Sequence, residues 1–180
     1  MKHLKWLIPV FIIAFCFLGF LIAPNDPEAM DIVNKYAAPS VDFPLGTDQF
    51  GRCELSRLLY GGKVTLGIVL LGGSIVLVLG TLIGLWLGQA NAAKSLAFSS
   101  LLDAVTAIPP LAYLIIFVGI WGNSIPTMLV ALTVSLILRM IKLVKTQTEL
   151  ELDKAYVLCA VSSGASRSRV LFVHILPNII

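Results

Sequence analysis

The chain has 180 residues, of which 58% are hydrophobic and only 13% charged, with a formal net charge of +3 and a mean hydropathy of +0.94. This is the balance of a polytopic membrane protein rather than of a soluble domain. The charge is too small and too scattered to serve nucleic acid, and no Cys-x-x-Cys or His/Cys cluster points to a bound metal.

Lys2, His3 and Lys5 precede an apolar run that reaches Ala23, and Pro24-Asn25-Asp26-Pro27 stops it. About 18 uncharged residues without a small-x-small cleavage site favour a retained first span (1–23) over a signal peptide. Residues 24–63 hold six of the ten acidic residues and recurrent Pro, Gly and Asp, so most of this stretch reads as an extracytoplasmic loop. Within it a short helix from Asp48 is expected to lie on the membrane surface. Leu55, Leu58 and Leu59 share one face, Arg52 and Arg57 turn to water, and Gly61-Gly62 closes it.

Val64 to Gly88 carries no charge for 25 residues, about 37 Å of helix and enough to cross a hydrocarbon core of about 30 Å with tilt. Gly80, Gly84 and Gly88 recur every fourth residue and make a strip that a second helix can approach closely. Spacing alone leaves open whether that helix belongs to the same subunit or to another. After a polar turn at Gln89–Ser95, Leu96 to Trp121 is apolar except for Asp103, with a kink expected at Pro109-Pro110. A carboxylate there is costly in lipid, so Asp103 is expected to face protein or water. It serves either a gate or an interhelical hydrogen bond. Gly122-Asn123-Ser124 makes the tip of a tight hairpin, Met128 to Leu138 completes the next span, and the basic Arg139, Lys142 and Lys145 follow.

The only long later stretch not built for lipid lies at about 148–169. Glu149, Glu151, Asp153 and Lys154 precede Tyr156-Val157-Leu158-Cys159-Ala160-Val161, Gly164 interrupts, and Ser166 or Ser168 can cap a second helix leading into Val170. The local chemistry predicts helix, glycine turn, helix: an exposed elbow. An apolar run begins again at Val170 and stops at Ile180, too short to span. The fold class is therefore all-α: four full membrane spans and the start of a fifth, with a core domain over 64–180. An amino terminus inside puts nine Lys and Arg on the cytoplasmic side against four outside, which obeys the positive-inside rule and puts the elbow in the cytoplasm. No two of Cys16, Cys53 and Cys159 are then expected to form a disulfide. An impermeant thiol label is expected to reach Cys53 from outside, and not Cys159.

Tyr156-Val157-x-x-Ala160-x-x-x-Gly164-Ala165-Ser166, with His174-Ile175-Leu176-Pro177-Asn178 downstream, resembles the cytoplasmic loop of ATP-binding-cassette (ABC) importer permeases. Pro44-Leu45-Gly46-Thr47-Asp48-Gln49-Phe50-Gly51-Arg52 with Leu55-Ser56-Arg57-Leu58-Leu59-Tyr60-Gly61 resembles the segment before the second span in one branch of them. That branch is the "C" subunit of the dipeptide, oligopeptide and nickel permeases, and the likeness runs over nearly the whole chain. Such permeases continue through two more spans, so the chain reads as truncated.

The resemblance implies a permease in the plasma membrane, moving short peptides or nickel, free or chelated, by alternating access. It implies as partners a second homologous permease, two ATP-binding subunits, one of them holding the elbow in a groove, an extracytoplasmic substrate-binding protein and membrane lipid. Tyr156, Val157, Ala160, Gly164 and Ala165 would carry the coupling. The sequence departs from the family pattern at Leu158 and Cys159, where an acidic residue and an alanine are expected, and at Cys53, where the acidic residue falls one place later at Glu54. No phosphate loop of the Gly-x-x-x-x-Gly-Lys-Ser/Thr type and no paired catalytic groups occur, so the chain is expected to be no enzyme and to hold no cofactor. The competing reading is a truncated, non-conducting remnant that acts as a membrane scaffold.

Overall fold

The computed structural model describes residues 4–179. Among these the only β feature is an isolated bridge between Thr47 and Cys53, and the chain is otherwise helix, turn and loop. It divides into two compact units, Met1–Leu70 and Leu71–Ile180.

In the first unit, α1 (Leu4–Leu18) runs into a 3-10 turn, Gly19–Ile22, and the chain leaves the helical path where Pro24 forbids its continuation. The loop beyond Pro24 is folded rather than slack. Asp48 is its hub: one carboxylate oxygen accepts from the backbone N–H groups of Phe50 and Arg52 at 2.8 and 3.0 Å, and the other accepts from Arg52 Nε at 2.7 Å. Arg57 approaches the same carboxylate at 3.7 Å. The two arginines expected to turn to water instead face one acid, because a carboxylate beside a tight turn offers better partners than bulk solvent does. Gly51, at φ +74°, packs so closely on the Asp31 backbone that a Cβ would overlap its carbonyl.

The short surface helix expected to close at Gly61-Gly62 is absent as a separate element. Helix α2 runs unbroken from Glu54 to Leu87, 34 residues or about 51 Å. The helix continues through Gly62 with α1 packed alongside, since a Cβ there would meet Cys16 at an ordinary 3.5–3.6 Å. The Lys63 ammonium sits 3.6 Å above the Phe20 ring, a cation–π contact.

In the second unit, α3 (Ala92–Thr106) and α4 (Pro110–Trp121) are bent by 68° across Pro109-Pro110. Neither proline donates an N–H, and the residue before each is disfavoured in the helical region. The Val105 carbonyl, which Pro109 cannot serve, accepts from Tyr113 Oη at 3.0 Å, and Thr106 Oγ1 bonds back to the Leu102 carbonyl at 2.7 Å within the last turn of α3. Gly122, at φ +81°, ends α4, and Ser124 caps α5 (Ile125–Leu152) by accepting from the Thr127 N–H. Of the four spans expected, α2 and α5 are single helices long and apolar enough to cross a membrane. The bent α3–α4 pair makes a third if taken as one span, and Ile8–Ile22 is a shorter apolar helix.

The glycine strip of α2 lies against α5. A Cβ at Gly80 would come within 2.7 Å of Met140, one at Gly84 within 2.6 Å of Val144, and one at Gly88 within 2.6 Å of Thr148. With no side chains between them the two backbones approach closely, which is how helices gain packing energy where lipid offers no hydrophobic drive.

Candidate functional site

The elbow is built from local rules and anchored by buried ones. Helix α6 (Ala155–Ser162) ends at Gly164, whose φ of +84° is the left-handed conformation that closes helices. The Gly164 N–H bonds the Val161 carbonyl at 2.9 Å and the Ala165 N–H reaches back to Ala160 at 3.0 Å. That pair of bonds is a Schellman motif, and it explains the spacing Ala160-x-x-x-Gly164-Ala165: the three residues are the last-turn acceptor, the left-handed residue and the returning donor. Ser166 then caps the next short helix, α7 (Arg167–Arg169), by accepting from the Arg169 N–H.

Val157 is 1% exposed and belongs to a core with Leu85, Val144, Val170, Leu171 and Ile175, against which Ala165 also packs. The opposite face of the elbow is open: Leu158 is 57% and Val161 55% exposed, and Cys159, Ser162 and Ser163 lie beside them. The two elbow residues that depart from the pattern, Leu158 and Cys159, thus stand on the outer face and leave the anchor untouched.

A polar cluster at the end of α5 fixes the elbow's entry angle. Glu151, buried, accepts from Lys154 Nζ at 2.6 Å and from the Tyr156 hydroxyl. Burial, then the neighbouring Glu151 carboxylate, push the Tyr156 phenol above its ordinary value, and Asn178 pulls the other way by hydrogen bonding to it. Tyr156 therefore joins the two halves of the downstream motif, since Asn178 follows Pro177. The chain there widens into a π-helical turn, Val170–Ile175, in which the Leu176 N–H reaches the Leu171 carbonyl. Proline at 177 cannot donate to the helical ladder, and the wider turn absorbs the mismatch. Asn178 Nδ2 bonds the His174 carbonyl at 2.6 Å.

Lys145, counted in sequence with the basic Arg139 and Lys142, is 1% exposed. Its ammonium donates to Ser95 and Ser99 of α3 at 2.8 Å each and to Glu149 at 2.7 Å, and Ser95 bonds the same carboxylate. All three protons are used, so the buried cation clamps α3 to α5. Neither this cluster nor the Glu151 pair was legible from spacing. An (i, i+4) Lys145–Glu149 pair was the available signal, and it does not reveal that α3 covers it.

The structure brings Tyr156, Val157, Ala160, Gly164 and Ala165 together in the elbow and sets Gly80, Gly84 and Gly88 under α5. Asp103 pairs instead with Lys142 at 2.5 Å, both side chains about half-exposed. Cys53 is 1% exposed, so the expectation that an impermeant label reaches it from solution fails, because the Thr47–Cys53 bridge draws it inward. Among the described residues no group of three or more His, Cys, Asp or Glu is disposed to hold a metal ion.

Long apolar helices with an exposed elbow on a buried anchor define a polytopic helical membrane component. Residues 80–180 match the family described as binding-protein-dependent transport system inner membrane components, and the chain belongs to that family. It is a family of transport components, not of enzymes. The chain is 36% identical over 174 residues to the peptide transport system permease protein SapC of Salmonella typhimurium and 32% over 170 residues to that of Escherichia coli O6:H1. In each case 91% of this chain and 57% of the relative are covered. It is 31% identical over 174 residues to the di/tripeptide transport system permease protein DppC of Pseudomonas aeruginosa, covering 93% of this chain and 57% of that one. The chain thus spans somewhat more than half the length of these relatives.

Proposed function

We propose that this chain is the membrane permease part of a binding-protein-dependent ABC importer, and that its cargo is a short peptide. The observation that carries the reading is the elbow: an exposed apolar face of Leu158 and Val161 mounted on a side chain, Val157, that is 1% exposed in the helix core. A surface loop needs no such anchor, whereas a lever does. Peptide cargo is supported by the names of the SapC and DppC relatives, which are peptide and di/tripeptide permeases.

In this reading the amino terminus and the elbow face the cytoplasm, with the nine-to-four excess of basic residues on that side. Two ATP-binding subunits supply the force, one of them gripping the elbow. A second homologous permease completes the pathway, and an extracytoplasmic binding protein delivers cargo. Because Val157 and the Glu151–Tyr156 bond tie α6 to α5, movement of the elbow rotates α5 rather than merely bending a loop, and access to the central pathway alternates.

Uptake of labelled dipeptide, and separately of nickel, in cells lacking this gene and in cells with it restored tests the cargo. Restored dipeptide uptake is the expected result. Restored nickel uptake alone replaces the peptide with the metal, and assembly without either uptake favours the scaffold. Docking is tested by Gly164→Trp. No heavy atom lies within 4 Å of a Cβ there, so the ring enters solvent and blocks the partner at about 1–2 kcal/mol of backbone strain. Loss of ATPase co-purification with normal membrane insertion is expected, and an unchanged yield removes the elbow from the mechanism. For orientation, Val41→Cys, at a position 97% exposed, replaces the buried Cys53 as the reporter, and an impermeant label should modify it in sealed cells while sparing Cys159.

A further inference from the structure

Where α2 gives way to α3 the second unit has an open groove of about 590 Å³, walled by Trp86, Leu87 and Phe98 and bearing Gln89, Lys94 and Arg167. No acidic residue lines it. Among the described residues, neither the Lys94 nor the Arg167 side chain stands within ion-pair distance of a carboxylate. Three other cations of the unit are matched, Lys142 by Asp103, Lys145 by Glu149 and Lys154 by Glu151, whereas Arg139 and Arg169 are not among those pairs and do not line this groove. Two unmatched cations on one small concavity repel each other, and they stabilise a bound anion.

The walls select the kind of anion. Trp86 is 69% exposed and Leu96, on the first turns of α3, 70%, so the groove opens onto apolar surface rather than onto a polar rim. It also stands where 25 uncharged residues meet the polar turn Gln89–Ser95, the depth at which aromatic rings and lipid headgroups share the interface. A free phosphate ion gains nothing from Trp86 or Phe98, whereas a phospholipid uses both parts. Its phosphodiester lies between Lys94 and Arg167, the Gln89 amide serves a headgroup hydroxyl, and the acyl chains descend past Trp86 and Leu96.

We infer that this groove is a binding site for an anionic phospholipid. Arg167 stands three residues beyond Gly164, so the bound lipid bridges the α2–α3 turn to the elbow's second helix.

The test uses the full chain extracted in mild detergent, reconstituted in bilayers of mixed phosphatidylglycerol and phosphatidylcholine, and released for native mass spectrometry. Wild-type protein should retain phosphatidylglycerol over phosphatidylcholine, and excess inorganic phosphate should not displace it. Lys94→Gln with Arg167→Gln should lower that retention by about tenfold or more, and Lys94→Arg with Arg167→Lys should restore it. Equal retention of the two lipids, unchanged retention in the double glutamine variant, or displacement by phosphate overturns the site. A second measurement is independent of those variants. In a protein whose only tryptophan is Trp86 (Trp6→Phe, Trp121→Phe), phosphatidylglycerol brominated on its acyl chains should quench fluorescence more than brominated phosphatidylcholine. Equal quenching by the two overturns the site as well.

Discussion

The Tyr156 hydroxyl donates a hydrogen bond to the carboxylate of Glu151, five residues upstream and across the Asp153-Lys154 turn. Through that bond the first residue of the elbow motif is tied to the last turn of α5. Tyr156→Phe keeps the ring and removes only the tie. It leaves a buried carboxylate with Lys154 as its remaining partner, and a stability loss of about 1–2 kcal/mol is expected. Thermal unfolding of the purified protein measures it. Faster amide exchange should be confined to α6, and a uniform rise across all helices would mean the bond has no local role.

Lys145 makes a sharper case. Lys145→Met removes the cation shared by Ser95, Ser99 and Glu149 and strands a carboxylate against α3. A loss of about 3 kcal/mol is expected, at the low end for a broken buried pair because Glu149 still reaches solvent. Adding Glu149→Gln should recover part of it. A double variant no better than Lys145→Met would mean that the methylenes of Lys145, not its charge, hold the two helices.

The α2–α5 contact predicts opposite outcomes at two glycines of one helix. Gly84→Ala drives a methyl to within 2.6 Å of the Val144 Cβ and 3.0 Å of the Ile141 carbonyl, whereas Gly73→Ala meets nothing within 4 Å. The first should destabilise by about 1–3 kcal/mol through overpacking. The second should be neutral or slightly stabilising, since alanine is the better helix former. Equal melting temperatures for both variants would contradict the close approach.

Asp48 gives a pH dependence with a definite sign. Burial works against its charge, but the hydrogen bonds and charge of Arg52 and the Phe50 N–H overcome it and lower its pKa from 3.8 to about 2. A carboxyl whose pKa is depressed on folding contributes stability that is complete above the unfolded value. That contribution is lost as pH falls from about 4 through about 2. Cleavage of the 24–53 loop by pepsin, which works in this window, should accelerate as pH drops from 4 toward 2. In Asp48→Asn it should be fast throughout, and a flat profile in the wild type would place the loop's support elsewhere.

The readable parts of this chain are those whose physics is local. Lipid demands unbroken apolar runs, so the long helices are visible as stretches without charge. Pro109-Pro110 cannot carry a helix and breaks one, and Gly164 with Ser166 closes and reopens helices by bonds to their own neighbours, so bend and elbow are written where they occur. Other features depend on the element that comes alongside. Gly61-Gly62 looks like a stop, yet α1 at Cys16 gives Gly62 a partner and α2 continues through it. Lys145 reads as one more surface cation, and only the arrival of Ser95 and Ser99 some fifty positions away makes its burial stable. Arg52 and Arg57 turn inward because the fold of the loop presents Asp48 to both. A residue's own chemistry determines where a helix starts, bends and ends. Whether a charge, a glycine or a thiol is covered depends on the element packed over it, and tertiary structure alone decides which element that is.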